Sequence, residues 1–244
     1  MYELCDVSRS FDGTAVVERV DLAIEAGKTT VLIGPSGCGK STLLRLMLGL
    51  IAPGSGTVKF EGAQVTPLSA PALRRRMGYV IQGGGLFPHL TARENVALLA
   101  RHLGWERERI DARIESLARL AQIAPDVWER YPIRISGGQQ QRIALLRALM
   151  LDPDVLLLDE PLGALDPIVR ADLQEELKEV FDTLRKSVVL VTHDMSEAAF
   201  FADTIVLMKR GRIVQSGTFR ELDESPEDPF VTRFIRAQRS FAAG

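Results

Sequence analysis

Cysteine is scarce in this chain, and a surplus of charge of either sign is missing. Only Cys5 and Cys38 occur among 244 residues, too few for a disulfide framework and in keeping with a reducing compartment. Lys and Arg number 30 against 32 Asp and Glu, a net charge of −2, so nothing points to nucleic acid as a partner. With 46% hydrophobic residues the chain also differs from acidic disordered tails, which cannot close a core. Long apolar runs are absent. The nearest approach, Val155-Leu156-Leu157-Leu158, is cut off by Asp159, far short of the roughly 18 residues that suggest a membrane-spanning helix. The opening residues, Met1 to Asp6, hold no basic stretch followed by an apolar run, so no secretory signal is expected. Internal repeats and low-complexity segments are absent as well.

Glycine is ordinary in amount, 20 of 244, but not in placement. Gly34/Gly37/Gly39, Gly83/Gly84/Gly85 and Gly137/Gly138 each stand beside an apolar run, where backbone must turn sharply or approach a ligand. Thr30 to Ile33, Val155 to Leu158, Val188 to Val191 and Ile205 to Met208 are unbroken apolar runs, as in strands buried on both faces of a mainly parallel sheet. Val20, Leu22 and Ile24 alternate with polar or small residues, the pattern of a half-exposed strand. Lys209 to Arg212 reads as a hairpin turn at the sheet margin. Helical spacing links Ile110, Ile114, Leu117 and Ala121, and again Leu173, Leu177, Val180/Phe181 and Leu184 after the cap Asp166-Pro167. An α/β core is therefore expected, with a β-subdomain within residues 1–60 and a helical insertion over about 90–150.

Gly34-Pro35-Ser36-Gly37-Cys38-Gly39-Lys40-Ser41-Thr42 carries the spacing G-x-x-x-x-G-K-S between a strand and an apolar helix. Such glycines let successive N–H groups curve around phosphate oxygens while the helix points its positive end at them. Lys40 is expected to reach the β- and γ-phosphates and the Ser41 hydroxyl to ligand Mg²⁺. Cys38 fills a variable position of this loop and is expected to have no chemical role, the alternative being a thiol that senses alkylation. Asp159 and Glu160 end a buried strand, at the sheet edge where ligands of open α/β sheets bind. Asp159 suits the Mg²⁺ shell there, and Glu160 is free to polarise a water. His193 follows a second buried strand and is expected at the same edge, near the γ-phosphate and the attacking water. Ser136-Gly137-Gly138-Gln139 opens another helix with anion-binding chemistry. Its plain alternative is a serine N-cap.

From Phe11 to Gly217 the chain resembles the ATP-binding subunit of an ABC transporter. Ser136-Gly137-Gly138-Gln139 is similar to the family signature, with Ile135 where leucine is usual. Gln82 corresponds to the glutamine of the Q-loop, and Gly163-Ala164-Leu165-Asp166 resembles the D-loop. Phe11 sits where the family places an aromatic on adenine; the alternative is a core residue of the β-subdomain. The resemblance implies a P-loop NTPase fold of the RecA-like kind, with an antiparallel β-subdomain and an inserted α-helical subdomain. It implies one ATPase domain over residues 1–244, a short tail over about 218–244 and no regulatory domain.

ATP and Mg²⁺ follow from the resemblance, with Ser41, Gln82 and Asp159 around the metal. Glu160 would be the general base, assisted by His193, Lys40 and Gln82. Each nucleotide would lie between the phosphate loop of one copy and Ser136 to Gln139 of another, with Asp166 at the junction. A homodimer or paired ATPase subunit, integral membrane permease subunits and, indirectly, a solute-binding protein are the implied partners. The implied location is the cytoplasmic face of the membrane. Leu86-Phe87-Pro88-His89-Leu90-Thr91 and Leu162 to Glu176 look like bacterial importers, and Asp166-Pro167-Ile168 with Leu173-Gln174 like those for glycine betaine, choline and related osmoprotectants. An importer of another solute, or an ABC ATPase of iron–sulfur cluster assembly, is the alternative. The glycines after Gln82 are read as backbone freedom in a loop that meets the permease. Arg74-Arg75-Arg76 reads as a solvated helix face, and Asp223 to Pro229 as a solvated turn.

Overall fold

Alternation of apolar and polar residues over Tyr2–Phe11 (β1) and Thr14–Ile24 (β2) makes an antiparallel pair, Tyr2 opposite Ile24 and Phe11 opposite Thr14. Val20, Leu22 and Ile24 point inward, while Asp21 and Ala23 face solvent. Ser55–Phe60 (β4) pairs antiparallel with the other edge of β1 and continues into the two-residue strand Ala63–Gln64 (β5). This is the expected β-subdomain. The computed structural model describes residues 1–121, 123–163 and 165–242. Ala164 of the D-loop segment, and the end of the tail at 243–244, lie outside the described residues. The chain divides into two compact units, residues 1–74 with 187–244, and residues 75–186.

In the first unit, the apolar run Thr29–Ile33 (β3) is buried throughout. It lies parallel between Ser187–Thr192 (β8), with Ile33 opposite Thr192, and Thr204–Lys209 (β9), with Ile33 opposite Leu207. Arg212–Gly217 (β10) closes the margin by pairing antiparallel with β9, so the expected hairpin forms. The carboxyl ends of β3 and β8 thus emerge side by side, the first leading into Gly34 and the second into His193. Lys40–Met47 (α1) follows the glycine loop and buries Leu43, Leu44, Leu46 and Met47. Each such side chain contributes on the order of 2 kcal/mol of burial. Met195–Phe201 (α7) connects β8 to β9. Ala70–Leu73 (α2) is a single short turn of helix.

The C-terminal stretch is largely exposed, as a solvated turn would be, with helices at both of its ends. Asp223 and Glu224 finish the helix Phe219–Glu224 (α8), and Pro229 opens Pro229–Ala242 (α9). Between them Gln215 holds the chain, donating to Ser225 O (3.1 Å) and accepting from Glu227 N (3.0 Å).

In the second unit, Met77–Val80 (β6) and Val155–Asp159 (β7) pair in parallel, Val80 opposite Leu158. The arginine run is a 3₁₀ turn rather than an α-helical face, with Arg76 paired to Asp154 at 2.6 Å. The expected helical stretch resolves into Ala92–His102 (α3), Arg107–Leu120 (α4) and Gly137–Leu149 (α5), with the 3₁₀ turns Pro125–Val127 and Pro132–Arg134 between α4 and α5. Ile110, Ile114 and Leu117 form the buried stripe of α4 as their spacing foretells. Pro167–Leu184 (α6) begins with Asp166 as its cap, accepting from Val169 N at 3.0 Å. Helix α3 starts with a Thr91/Glu94 capping box.

One polar residue on the inner face of α3 shapes the segment before it. Asn95 is fully buried, accepts from Phe87 N (2.8 Å) and donates through Nδ2 to the carbonyls of Phe87, Leu90 and Thr91 (3.0–3.1 Å). Removing it leaves the part-buried Phe87 N–H and Leu90 carbonyl without this partner. Asn95→Ala is expected to cost about 2 kcal/mol, read as a lower urea midpoint; a midpoint equal to wild type would show that the segment does not need this anchor.

Candidate functional site

Crowding shapes the glycine loop after β3. Gly34 has φ 151°, and a Cβ on it would stand 2.2 Å from Met208 O. At Gly39, φ is 104° and a Cβ would stand 2.5 Å from Val16 O. Backbone from β9 and β2 therefore presses on both ends of the loop, and no larger residue fits. Cys38 N donates to Pro35 O (3.2 Å), while Cys38 O accepts from Gly211 N (3.0 Å), which ties the loop to the β9–β10 hairpin. The middle of the loop, Pro35, Ser36 and Gly37, is exposed. Ser41 and Thr42 fall in the first turn of α1.

Lys40 is the unusual member. It is 6% exposed, and its ammonium donates to Gly34 O (2.7 Å) and Pro35 O (3.1 Å) and lies 3.8 Å from Cys38 Sγ. A buried cation whose partners are carbonyl oxygens has little compensating negative charge. Together with an open loop of backbone N–H groups at a helix start, this geometry fits an anionic oxygen ligand such as a phosphate chain.

His193 is exposed at the end of β8, beside the start of this loop through the Ile33–Thr192 register. The turn that carries it is tightly held. Thr192 Oγ1 donates to the buried carboxylate of Glu197 (2.6 Å) and accepts from Asp194 N (3.0 Å), and Asp194 caps α7. Phe11 ends β1 with 41% of its surface exposed. The Arg9 guanidinium lies 4.9 Å from its ring centroid. It is not a core residue of the β-subdomain.

In the second unit, Asp159 ends β7 with its side chain buried, and Glu160 follows in a left-handed conformation, φ 47°. Non-glycine residues adopt that region at a cost, and such strain gathers at functional turns. Gln82, two residues beyond β6, donates from Nε2 to Glu160 Oε2 at 3.0 Å. The parallel register of β6 and β7 brings these two together.

Ser136 is the N-cap of α5, in a reciprocal box with Gln139: Ser136 Oγ accepts from Gln139 N (3.3 Å), and Gln139 Oε1 accepts from Ser136 N (3.0 Å). The plain capping role is thus present. It leaves the small residues to be explained, and packing does so: a Cβ on Gly138 would stand 2.8 Å from Val169 Cγ1, and one on Gly137 3.2 Å from Leu165 Cδ2. Arg142 and Glu176 join α5 to α6 by an ion pair of 2.6 Å. Among the described residues, no group of three or more His, Cys, Asp or Glu could by itself hold a metal. No helix among them is long and apolar enough to cross a membrane.

Residues 17–163 match the ABC transporter family, and the chain belongs to it. Among its relatives, the chain is 45% identical over 240 residues to the glycine betaine/carnitine/choline transport ATP-binding protein OpuCA of Bacillus subtilis, covering 98% of this chain and 63% of that protein. It is 44% identical over 235 residues to the glycine betaine uptake system ATP-binding protein YehX of Escherichia coli, covering 96% of this chain and 76% of that one. The fold superposes with a TM-score of 0.81 on the ATP-binding cassette MJ0796, solved as a dimer in a post-hydrolysis state with ADP and Pi. The two are 31% identical, over 90% of this chain and 99% of that one.

Several groups around these residues went unseen in the sequence. Glu197 and Asn95 are polar residues on otherwise apolar helix faces, a signal the periodicity contains. The left-handed backbone at Glu160 leaves no mark in residue type.

Cys38 is 4% exposed, and burial pushes its thiol above the ordinary range, outweighing the nearby Lys40. Less thiolate is then present at neutral pH, the reverse of an alkylation sensor. Exposed Cys5 is expected to react with a thiol reagent at least about tenfold faster than Cys38. The gap should narrow as pH rises through the raised value and vanish in denaturant. Equal rates in the native chain at neutral pH would contradict the assignment.

Proposed function

We propose that the chain is the ATP-hydrolysing subunit of a bacterial ABC importer for a small osmoprotectant solute such as glycine betaine, choline or carnitine. The observation that carries this reading is the buried Lys40 in its carbonyl-lined loop, an arrangement that suits a nucleotide's phosphates. The glycine betaine, carnitine and choline named for OpuCA and the glycine betaine named for YehX support the solute class.

In this reading the loop N–H groups from Gly34 to Thr42 and the Lys40 ammonium grip the β- and γ-phosphates, and Phe11 stacks on the base. Ser41, Asp159 and Gln82 offer hydroxyl, carboxylate and amide oxygens, the hard donors that Mg²⁺ takes alongside phosphate oxygens. When bound, that ion neutralises charge developing on the transferred phosphoryl group. Glu160 accepts a proton from the attacking water, with Gln82 holding its carboxylate in orientation. His193 steadies the γ-phosphate and that water. The strained turn keeps Glu160 presented without any rearrangement at the moment of reaction.

Ser136, Gly137, Gly138 and Gln139 serve the nucleotide of a second ATPase subunit, with Asp166 close to that junction. Two copies are thus needed for each turnover. The remaining partners are integral membrane permease subunits at the cytoplasmic face of the membrane, fed by a solute-binding protein.

The test is Glu160→Gln. It is expected to bind ATP with near wild-type affinity, to lose about 10²–10⁴-fold in turnover, and to elute as a dimer with ATP during gel filtration. Wild-type turnover would remove Glu160 from the role of base. Abolished nucleotide binding would remove it from the hydrolytic step altogether.

A further inference from the structure

The glycine run after Gln82 is not loose. Gly83, Gly84 and Gly85 all have left-handed φ, 72°, 75° and 56°, so the run has a defined shape that other residues adopt only with strain. That shape lies against α5. A Cβ on Gly84 would stand 3.3 Å from Gln141 Oε1 and 3.4 Å from Ala144 Cβ, and one on Gly85 only 2.1 Å from Ile81 Cδ1.

Arg147, farther along α5, fastens the run. One guanidinium nitrogen donates to Gly85 O (2.8 Å) and the other to Gly84 O (2.7 Å). Burial lowers the pKa of this guanidinium from its ordinary value, though an arginine keeps its proton at any working pH. Among the described residues no carboxylate pairs with it. A cation drawn partly out of water toward two carbonyls gains no ion-pair energy in return. A planar fork matched to two adjacent carbonyls instead gives geometry, which a lysine cannot reproduce.

Position gives that geometry a use. Helix α5 starts at the Ser136 cap, and the run it fastens begins one residue after Gln82, whose amide holds Glu160. Asn95 secures the far end of the same segment. We propose that Arg147 is a positioning residue that makes the Ser136 turn and the Gln82 segment one rigid piece, so that closing a partner's nucleotide against Ser136 sets Gln82 and Glu160 at the same time. This rests on the ATPase reading above, and it turns the glycine run from a flexible hinge into a fitted joint.

The experiment compares wild type, Arg147→Ala, Arg147→Lys and Glu160→Gln, with folding checked by thermal melting. Amide hydrogen exchange of residues 83–90, measured without nucleotide, is expected to speed up by about tenfold in Arg147→Ala. The turnover number should fall by about tenfold while KM for ATP stays within about twofold, because a misplaced catalytic group costs rate rather than binding. Arg147→Lys should recover part of the rate; if the alanine variant does not fold, the lysine variant carries the test through the same split. Unchanged exchange, or faster exchange with turnover within about twofold of wild type, would overturn the proposal. A wild-type chain without ATP turnover would sink the ATPase reading, and the exchange comparison would still decide whether Arg147 holds the run. Full activity in Arg147→Ala beside a dead Glu160→Gln would sink the Arg147 proposal alone.

Discussion

The structure turns on a lysine ammonium held almost out of water by carbonyl oxygens. The partners of Lys40 are carbonyl oxygens and carry little negative charge, which in the proposed function suits the loop to an anionic ligand from outside. Everything around the loop serves this arrangement. Backbone oxygens of Met208 and Val16 press on Gly34 and Gly39, and the β9–β10 hairpin reaches over to bond Cys38 O. The near-neutral composition of the chain is then no obstacle to binding a polyanion. A few oriented N–H groups and one lysine do what a basic surface would otherwise do.

A second theme is the way strand ends deliver chemistry. In each unit, adjacent parallel strands bring residues far apart in sequence to one edge. Ile33 beside Thr192 sets the glycine loop next to His193, and Val80 beside Leu158 sets Gln82 within a hydrogen bond of Glu160. The turns after these strands are held by side chains, by Thr192 with Glu197 in one case and by Gln82 with Glu160 in the other. Rigid turns of this kind spare the reaction any reorganisation.

Most of the frame was legible because it rests on signals that residue type carries directly. Unbroken apolar runs became β3, β7, β8 and β9, and the i, i+4, i+7 stripe became α4. Asp166-Pro167 became a helix start, and the glycine-lysine loop fell where strand met helix. What stayed hidden depends on partners distant in sequence. Gly83 to Gly85 read as freedom, since the contacts of Gly84 with α5 and of the Gly84 and Gly85 carbonyls with Arg147 reach some sixty residues along the chain. Phe11 could have been core or surface, and its place at the end of β1 decided for exposure. The arginine run and the acidic C-terminal stretch are largely exposed, as they read; residue type did not show that Arg76 pairs with Asp154 or that Asp223 and Glu224 finish a helix.

The proposal with the widest consequence is that each active site needs two copies, one giving Lys40 and the other Ser136. Mixing two inactive variants tests it directly. Lys40→Ala lacks the phosphate grip, and Ser136→Arg blocks the signature turn, so neither should hydrolyse ATP alone. Mixed one to one, random pairing gives half mixed dimers, each with one intact composite site, and ATPase activity should return to about a quarter of wild type. A mixture as inactive as its components, with mixed dimers shown to form, would contradict the shared site.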